Sequence, residues 1–121
     1  MHELGLTRSI VRTVAEHAGG RPVRRVRLEI GRLAGVMPGA IRFCFDAVAM
    51  GTVLEGAVLE IVEPEGRVRC RACGTEFTQE TLYDPCRCGA RDAVRLSGEE
   101  LNIVEFEFDA EPGAAIAPSV A

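Results

Sequence analysis

The chain has no tryptophan, a single tyrosine and no lysine, so that its 14 basic residues are all arginine. Aromatic residues make up only 5 % of the sequence, which leaves little ring surface on which bases of a single-stranded nucleic acid could stack. The glycine-rich stretch Gly31–Gly39 lacks the lysine and the following hydroxyl residue of a phosphate-binding P-loop. Histidine is scarce as well: His2 and His17 are far apart, and His17, near the end of a predicted helix, reads as a partner for its last carbonyls. The neighbouring carboxylates Glu99 and Glu100 would point to opposite sides of a strand. No catalytic constellation emerges, and the chain does not read as an enzyme. No apolar run approaches the roughly 20 residues of a membrane helix. The opening Met-His-Glu-Leu has no basic n-region, so a signal peptide is not expected. A net charge of −4 provides no general attraction for nucleic acid or an anionic membrane.

Cysteine is what the sequence does have. Cys70-Arg-Ala-Cys73 is followed, twelve residues later, by Cys86-Arg-Cys88. Two tight pairs joined by a short hairpin can gather four sulfurs around one tetrahedral ion. Zinc holds four thiolates at about 2.3 Å in a closed site with no position left for water or substrate, which makes it a structural rather than a catalytic metal. Gly74 and Gly89 follow the pairs where the backbone must turn and aim amides at sulfur. Two disulfides, unrelated buried thiols or a rubredoxin-like iron site are the competing readings. The absence of an export signal and the clustering of the cysteines favour a reducing cytoplasm and a metal. Cys44, the fifth, lies in Phe43-Cys44-Phe45 and reads as a buried core thiol.

Around this segment the apolar pattern predicts an α/β fold. Leu4, Thr7, Val11, Val14, Ala15 and Ala18 form one stripe of a helix over 4–18, stopped by Gly19-Gly20 and Pro22. Val26, Leu28 and Ile30 alternate with Arg25, Arg27 and Glu29 as a strand with one wet face. After the loop 31–39, Pro38 suits a first helical turn, and Ile41, Phe45 and Val48, with Cys44 beside them, give a second stripe to about Met50. Ala57–Val62 reads as a strand, Val94 and Leu96 close the metal hairpin, and Leu101–Phe108 alternates with Val104, Phe106 and Phe108 opposite Ile103, Glu105 and Glu107. The expected architecture is a two-layer domain of three strands and two helices, formed by 1–64 plus 97–109, with a four-cysteine, zinc-ribbon-like lobe inserted at 65–96. The Ala/Pro/Gly tail 110–121 has no periodicity and reads as disordered.

The first residues form a second constellation. Retention of Met1 is expected before His2, and the amine, the His2 amide nitrogen and the His2 Nδ1 can then close a five- and a six-membered chelate ring. Displacing an amide proton requires a strongly polarising ion with a square-planar preference, Ni(II) or Cu(II) rather than zinc. The Glu3 amide or carboxylate can complete the sphere. Taken by itself this signal is weak, and the default reading of a histidine at position two is a frayed, solvated terminus. Binding that requires amine, amide and imidazole to shed protons should weaken on acidification.

Met1-His2-Glu3, Glu29-Ile30-Gly31, Phe45-Asp46, the two cysteine pairs and Ser97-Gly98-Glu99-Glu100-Leu101-Asn102-Ile103 together resemble the HypA-type nickel metallochaperones over residues 1 to about 108. The Cys-x-Cys spacing of the second pair departs from the commoner Cys-x-x-Cys. The resemblance implies Met1, His2 and Glu3 as nickel ligands and Cys70, Cys73, Cys86 and Cys88 as structural zinc ligands. It also implies a cytoplasmic, non-enzymatic carrier that passes Ni(II) to a [NiFe]-hydrogenase large-subunit precursor. Its implied partners are a HypB-type GTPase and, in some organisms, the urease maturation machinery, with the chain a monomer or a homodimer. The alternative is a zinc-ribbon module for nucleic acid or protein. Six arginines crowd residues 65–96, but five carboxylates nearby reduce their sum to about +1, too little for a phosphate-binding face.

Overall fold

A computed structural model describes residues 2–109; the Met1 amine and the expected disordered tail lie outside the described residues. The elements run α1 His2–Ala18, β1 Val23–Ile30, α2 Pro38–Ala49, β2 Val58–Val62, β3 Gly66–Cys70, β4 Glu76–Gln79, β5 Ala93–Ser97 and β6 Leu101–Phe108. Two three-stranded sheets result, ordered β2-β1-β6 and β4-β3-β5. β2 lies parallel to β1, as a strand returning through a crossover helix must, and β6 closes the other side antiparallel.

In β1 the alternation is kept. Val26, Leu28 and Ile30 are buried against both helices, while Arg25 and Arg27 lie on the other face. There Arg25 bonds Glu60 at 2.7 Å and Glu107 at 2.5 Å, and Arg27 bonds Glu60 at 3.1 Å and Glu105 at 3.0 Å. Arg25 and Arg27, held between Glu60 on β2 and Glu105 and Glu107 on β6, thus stitch all three strands.

Three burial patterns differ from the sequence expectation. In α1 the buried residues are Thr7, Ile10, Val11, Val14 and Ala18; Ile10 joins the stripe and Leu4 is only half-buried, because the helix is covered over a wider arc than one i, i+4 row. In α2, Ile41, Phe45 and Ala49 are buried, whereas Val48 and Cys44 flank that row and are half-buried, so Cys44 is not a core thiol. In β6 the strict alternation fails. Arg27 pairs with Glu105 but Leu28 with Ile103, which leaves Val104 as an extra residue in a bulge. The bulge turns Ile103 inward together with Phe106 and Phe108, and Val104 is half-buried. Phe106 and Phe108 then meet edge to face at 5.5 Å, with the Arg21 guanidinium 3.8 Å from the Phe108 ring.

The β4-β3-β5 sheet is joined to the rest where three glycines meet. The loop after β1 donates from Gly31, Arg32 and Leu33 N–H to the carbonyls of Glu100, Pro64 and Gly98 at 2.8, 2.9 and 2.7 Å. A Cβ on Gly31 would lie 2.1 Å from the Gly98 carbonyl oxygen, and one on Gly98 2.6 Å from the Gly66 Cα. The backbone pins the lobe at both of its ends.

Candidate metal centres

Cys70 ends β3, Cys73 sits in the turn to β4, and Cys86 and Cys88 lie in the segment between β4 and β5. Their four Sγ atoms all fall within 4.8 Å of one another. Cys70 and Cys88 approach to 3.7 Å and Cys73 and Cys86 to 3.6 Å. An ion with sulfur at about 2.3 Å in tetrahedral array sets neighbouring sulfurs about 3.8 Å apart, close to the 3.7 and 3.6 Å of the two nearest contacts, so the donor set could hold such an ion. All four cysteines are free, with sulfurs well beyond covalent distance, which replaces the two-disulfide reading.

The shortened second pair has a local explanation. In the first knuckle, Gly74 N–H donates to the Cys70 carbonyl at 2.9 Å, four residues back, and Cys70 N–H donates to Thr75 O at 2.9 Å. In the second, Gly89 N–H donates to the Cys86 carbonyl at 2.8 Å, three residues back, and Cys86 N–H donates to Ala90 O at 2.9 Å. Both bonds of the second knuckle span one residue fewer, and one residue fewer separates its cysteines. Gly74 and Gly89 carry the turns at φ 77° and 89°. In each pair the first cysteine is buried and the second exposed.

Four thiols this close cannot all ionise on their own. The Thr75 hydroxyl, 3.2 Å from Cys73 Sγ, and the Thr75 backbone amide draw the Cys73 thiol down to about 6. At Cys86, a backbone hydrogen bond at Cys88 opposes the shift, but desolvation and the neighbouring sulfurs prevail and push that thiol up to about 11. A divalent cation removes this conflict, because it favours the thiolate at every position.

Most of the lobe's arginines are engaged within the protein. Arg71 pairs with Asp92 at 3.1 Å, Arg69 with Glu76 at 3.7 Å and Arg95 with Glu99; Arg67 donates to Thr78 and Arg91 to the Tyr83 carbonyl. The basic crowding in the sequence is therefore spent on internal pairing rather than arrayed for phosphates.

At the other constellation, His2 is the first residue of α1 and is exposed, and Glu3 is half-buried. The Glu3 carboxylate accepts a hydrogen bond from Met37 N–H at 3.2 Å, and this backbone donor is the main cause holding it below the usual carboxylate range. The buried Thr7 hydroxyl donates to the Glu3 carbonyl at 2.7 Å. Met37 is the N-cap of α2, and no pattern in the sequence marks it as a neighbour of Glu3.

A family model described as "Hydrogenase/urease nickel incorporation, metallochaperone, hypA" matches residues 1–108. The chain belongs to the HypA family. A curated protein named hydrogenase maturation factor HypA from Trichormus variabilis is 53 % identical over 109 residues, covering 90 % of this chain and 96 % of its own. One of the same name from Geobacter metallireducens is 48 % identical over 110 residues, covering 90 % and 100 %. Among solved structures, one titled "Solution structure of HypA protein" matches with a TM-score of 0.67 at 25 % identity over 92 % of this chain and 98 % of that one. A second, of the Ni metallochaperone HypA from Helicobacter pylori, has a TM-score of 0.63 over 90 % and 98 %; at 23 % identity it speaks for the fold alone. HypA-family chains are nickel-incorporation metallochaperones for hydrogenase maturation; this one has two helices, two small sheets and a four-cysteine cluster, in a fold that matches the HypA structures.

Proposed function

We propose that this chain is a cytoplasmic nickel carrier that binds one Ni(II) at its N-terminus and hands it to a [NiFe]-hydrogenase large-subunit precursor. The observation that carries the reading is the family match from residue 1 to 108, which takes in Met1-His2-Glu3 as well as the cysteine lobe. Nickel is the cargo; the Met1 amine, His2 through amide and imidazole, and Glu3 through its backbone amide form its site. The first N–H groups of a helix have no intrahelical partner, so nitrogen can be given to nickel in the first turn without breaking the α1 ladder. His2, exposed at the tip of α1, can be reached by an acceptor protein.

Zinc is the structural metal of Cys70, Cys73, Cys86 and Cys88; when bound it supplies a closed cross-link and no open coordination site. The lobe is 65–96, and 1–64 plus 97–109 is the nickel-binding α/β unit. The chain acts with a HypB-type GTPase, which supplies any nucleotide chemistry, and it is itself no enzyme. Among the described residues, no helix is long and apolar enough to cross a membrane.

His2→Ala tests the nickel site. The variant should lose nickel binding in equilibrium dialysis while keeping its circular dichroism and zinc content. Unchanged nickel affinity would remove the N-terminal site.

A further inference from the structure

The Glu3 carboxylate faces a choice that the two constellations leave open, because it cannot serve nickel and α2 at once. Its Oε2 accepts from Met37 N–H at 3.2 Å. Met37 is the N-cap of α2 and its side chain makes no capping bond; the next residue, Pro38, has no N–H to offer. Glu3 thus provides, from another element, a negative charge at the positive end of α2. On the same residue, the Glu3 carbonyl is fixed by the buried Thr7 hydroxyl at 2.7 Å. Both ends of Glu3 are tied, side chain to α2 and main chain to α1, and the residue before it is the exposed His2.

We infer that Glu3 is a positioning residue for the nickel site: its carboxylate stays on the Met37 N–H when nickel binds, and docks the start of α1 against the start of α2 so that His2 is presented in one geometry. This rests on the N-terminal nickel reading above. It withdraws the carboxylate from the ligand set and leaves the Glu3 side chain with a mechanical task. A tether of this kind stabilises the binding-competent arrangement of a short terminal segment, and its loss lowers affinity by the fraction of molecules that remain in that arrangement.

Two variants separate the roles. In Glu3→Gln the amide oxygen still accepts from Met37 N–H, whereas Glu3→Ala loses the acceptor. In the metal-free N-terminus, hydrogen exchange of the Met37 amide should be slow in wild type and Glu3→Gln and about tenfold faster in Glu3→Ala. With Ni(II) added, all three proteins should show the same d–d bands. Affinity should hold within about twofold in Glu3→Gln and fall about fivefold in Glu3→Ala, the factor that a hydrogen bond of ordinary net strength supplies. The inference is overturned by a Met37 amide indifferent to Glu3→Ala, by d–d bands that change in both variants, or by Glu3→Gln losing as much affinity as Glu3→Ala. Failure of the wild type to bind nickel at all would overturn the nickel reading instead, and the Met37 exchange rates would still decide the tether.

Discussion

Gly31 shows how much a single hydrogen can matter. Any side chain there would meet the Gly98 carbonyl oxygen at 2.1 Å, an atom held by its own bond to Leu33 N–H. Gly31→Ala should therefore destabilise the protein by about 3 kcal/mol, the upper end of what overpacking costs when backbone must move. Gly5 is the matching control: a Cβ there meets nothing within 4 Å, and it lies inside α1, so Gly5→Ala should stabilise by about 0.5 kcal/mol. Urea unfolding of the pair checks both signs. The sequence named Glu29-Ile30-Gly31 and Ser97–Ile103 as motifs, but their contact with each other is a tertiary fact that no local pattern encodes. The same holds for Glu3 and Met37, which are 34 residues apart and bonded. The four cysteines stood out because chemistry restricts which residue types gather a soft metal, and their sulfurs do come within 4.8 Å of one another; His2 stood out only through the family resemblance.

At the level of elements, the helices and strands followed from apolar periodicity wherever one face is dry and the other wet, as in β1. β6 too was read as a strand over its observed span, Leu101–Phe108, but Ile103 was assigned to the wrong face, because one inserted residue reverses the period-two pattern there. Ile10 escaped for a related reason: a stripe counted at i, i+4 is narrower than the arc that a sheet and a second helix together cover. The cysteine lobe was readable as metal-built with two unequal pairs, while the pairing of β3 with both β4 and β5 is a tertiary fact that the spacing does not encode. With zinc as the cross-link proposed above, Cys70→Ala should release it and raise amide exchange throughout 65–96 while the β2-β1-β6 sheet keeps its protection. Loss of protection in both sheets would mean that the glycine junction makes them one cooperative unit.

For the molecule as a whole, the arginine row on the sheet's outer face sets the response to acid. Hydrogen bonds from Arg25 and then Arg24 draw Glu107 down to about 2. A carboxylate held lower in the folded than in the unfolded state contributes stability that is complete above the unfolded value, near pH 4.3, and is lost as the pH falls toward about 2. Wild type should therefore lose urea resistance between about pH 5 and pH 2 more steeply than Glu107→Gln. Zinc release at low pH is common to both proteins and cancels in the comparison. Parallel curves would show that the network carries no net coupling.

The proposed function requires nickel to bind at the chain's own terminus while zinc resides in the lobe. The most direct measurement is the metal content of purified protein before and after addition of Ni(II), for the wild type and for a form extended by one residue ahead of Met1. One zinc in both forms, with one nickel taken up by the wild type in a planar-type d–d spectrum and lost on extension, is the predicted result. Nickel uptake indifferent to the extension, or zinc displaced from the cysteines as nickel enters, would contradict it.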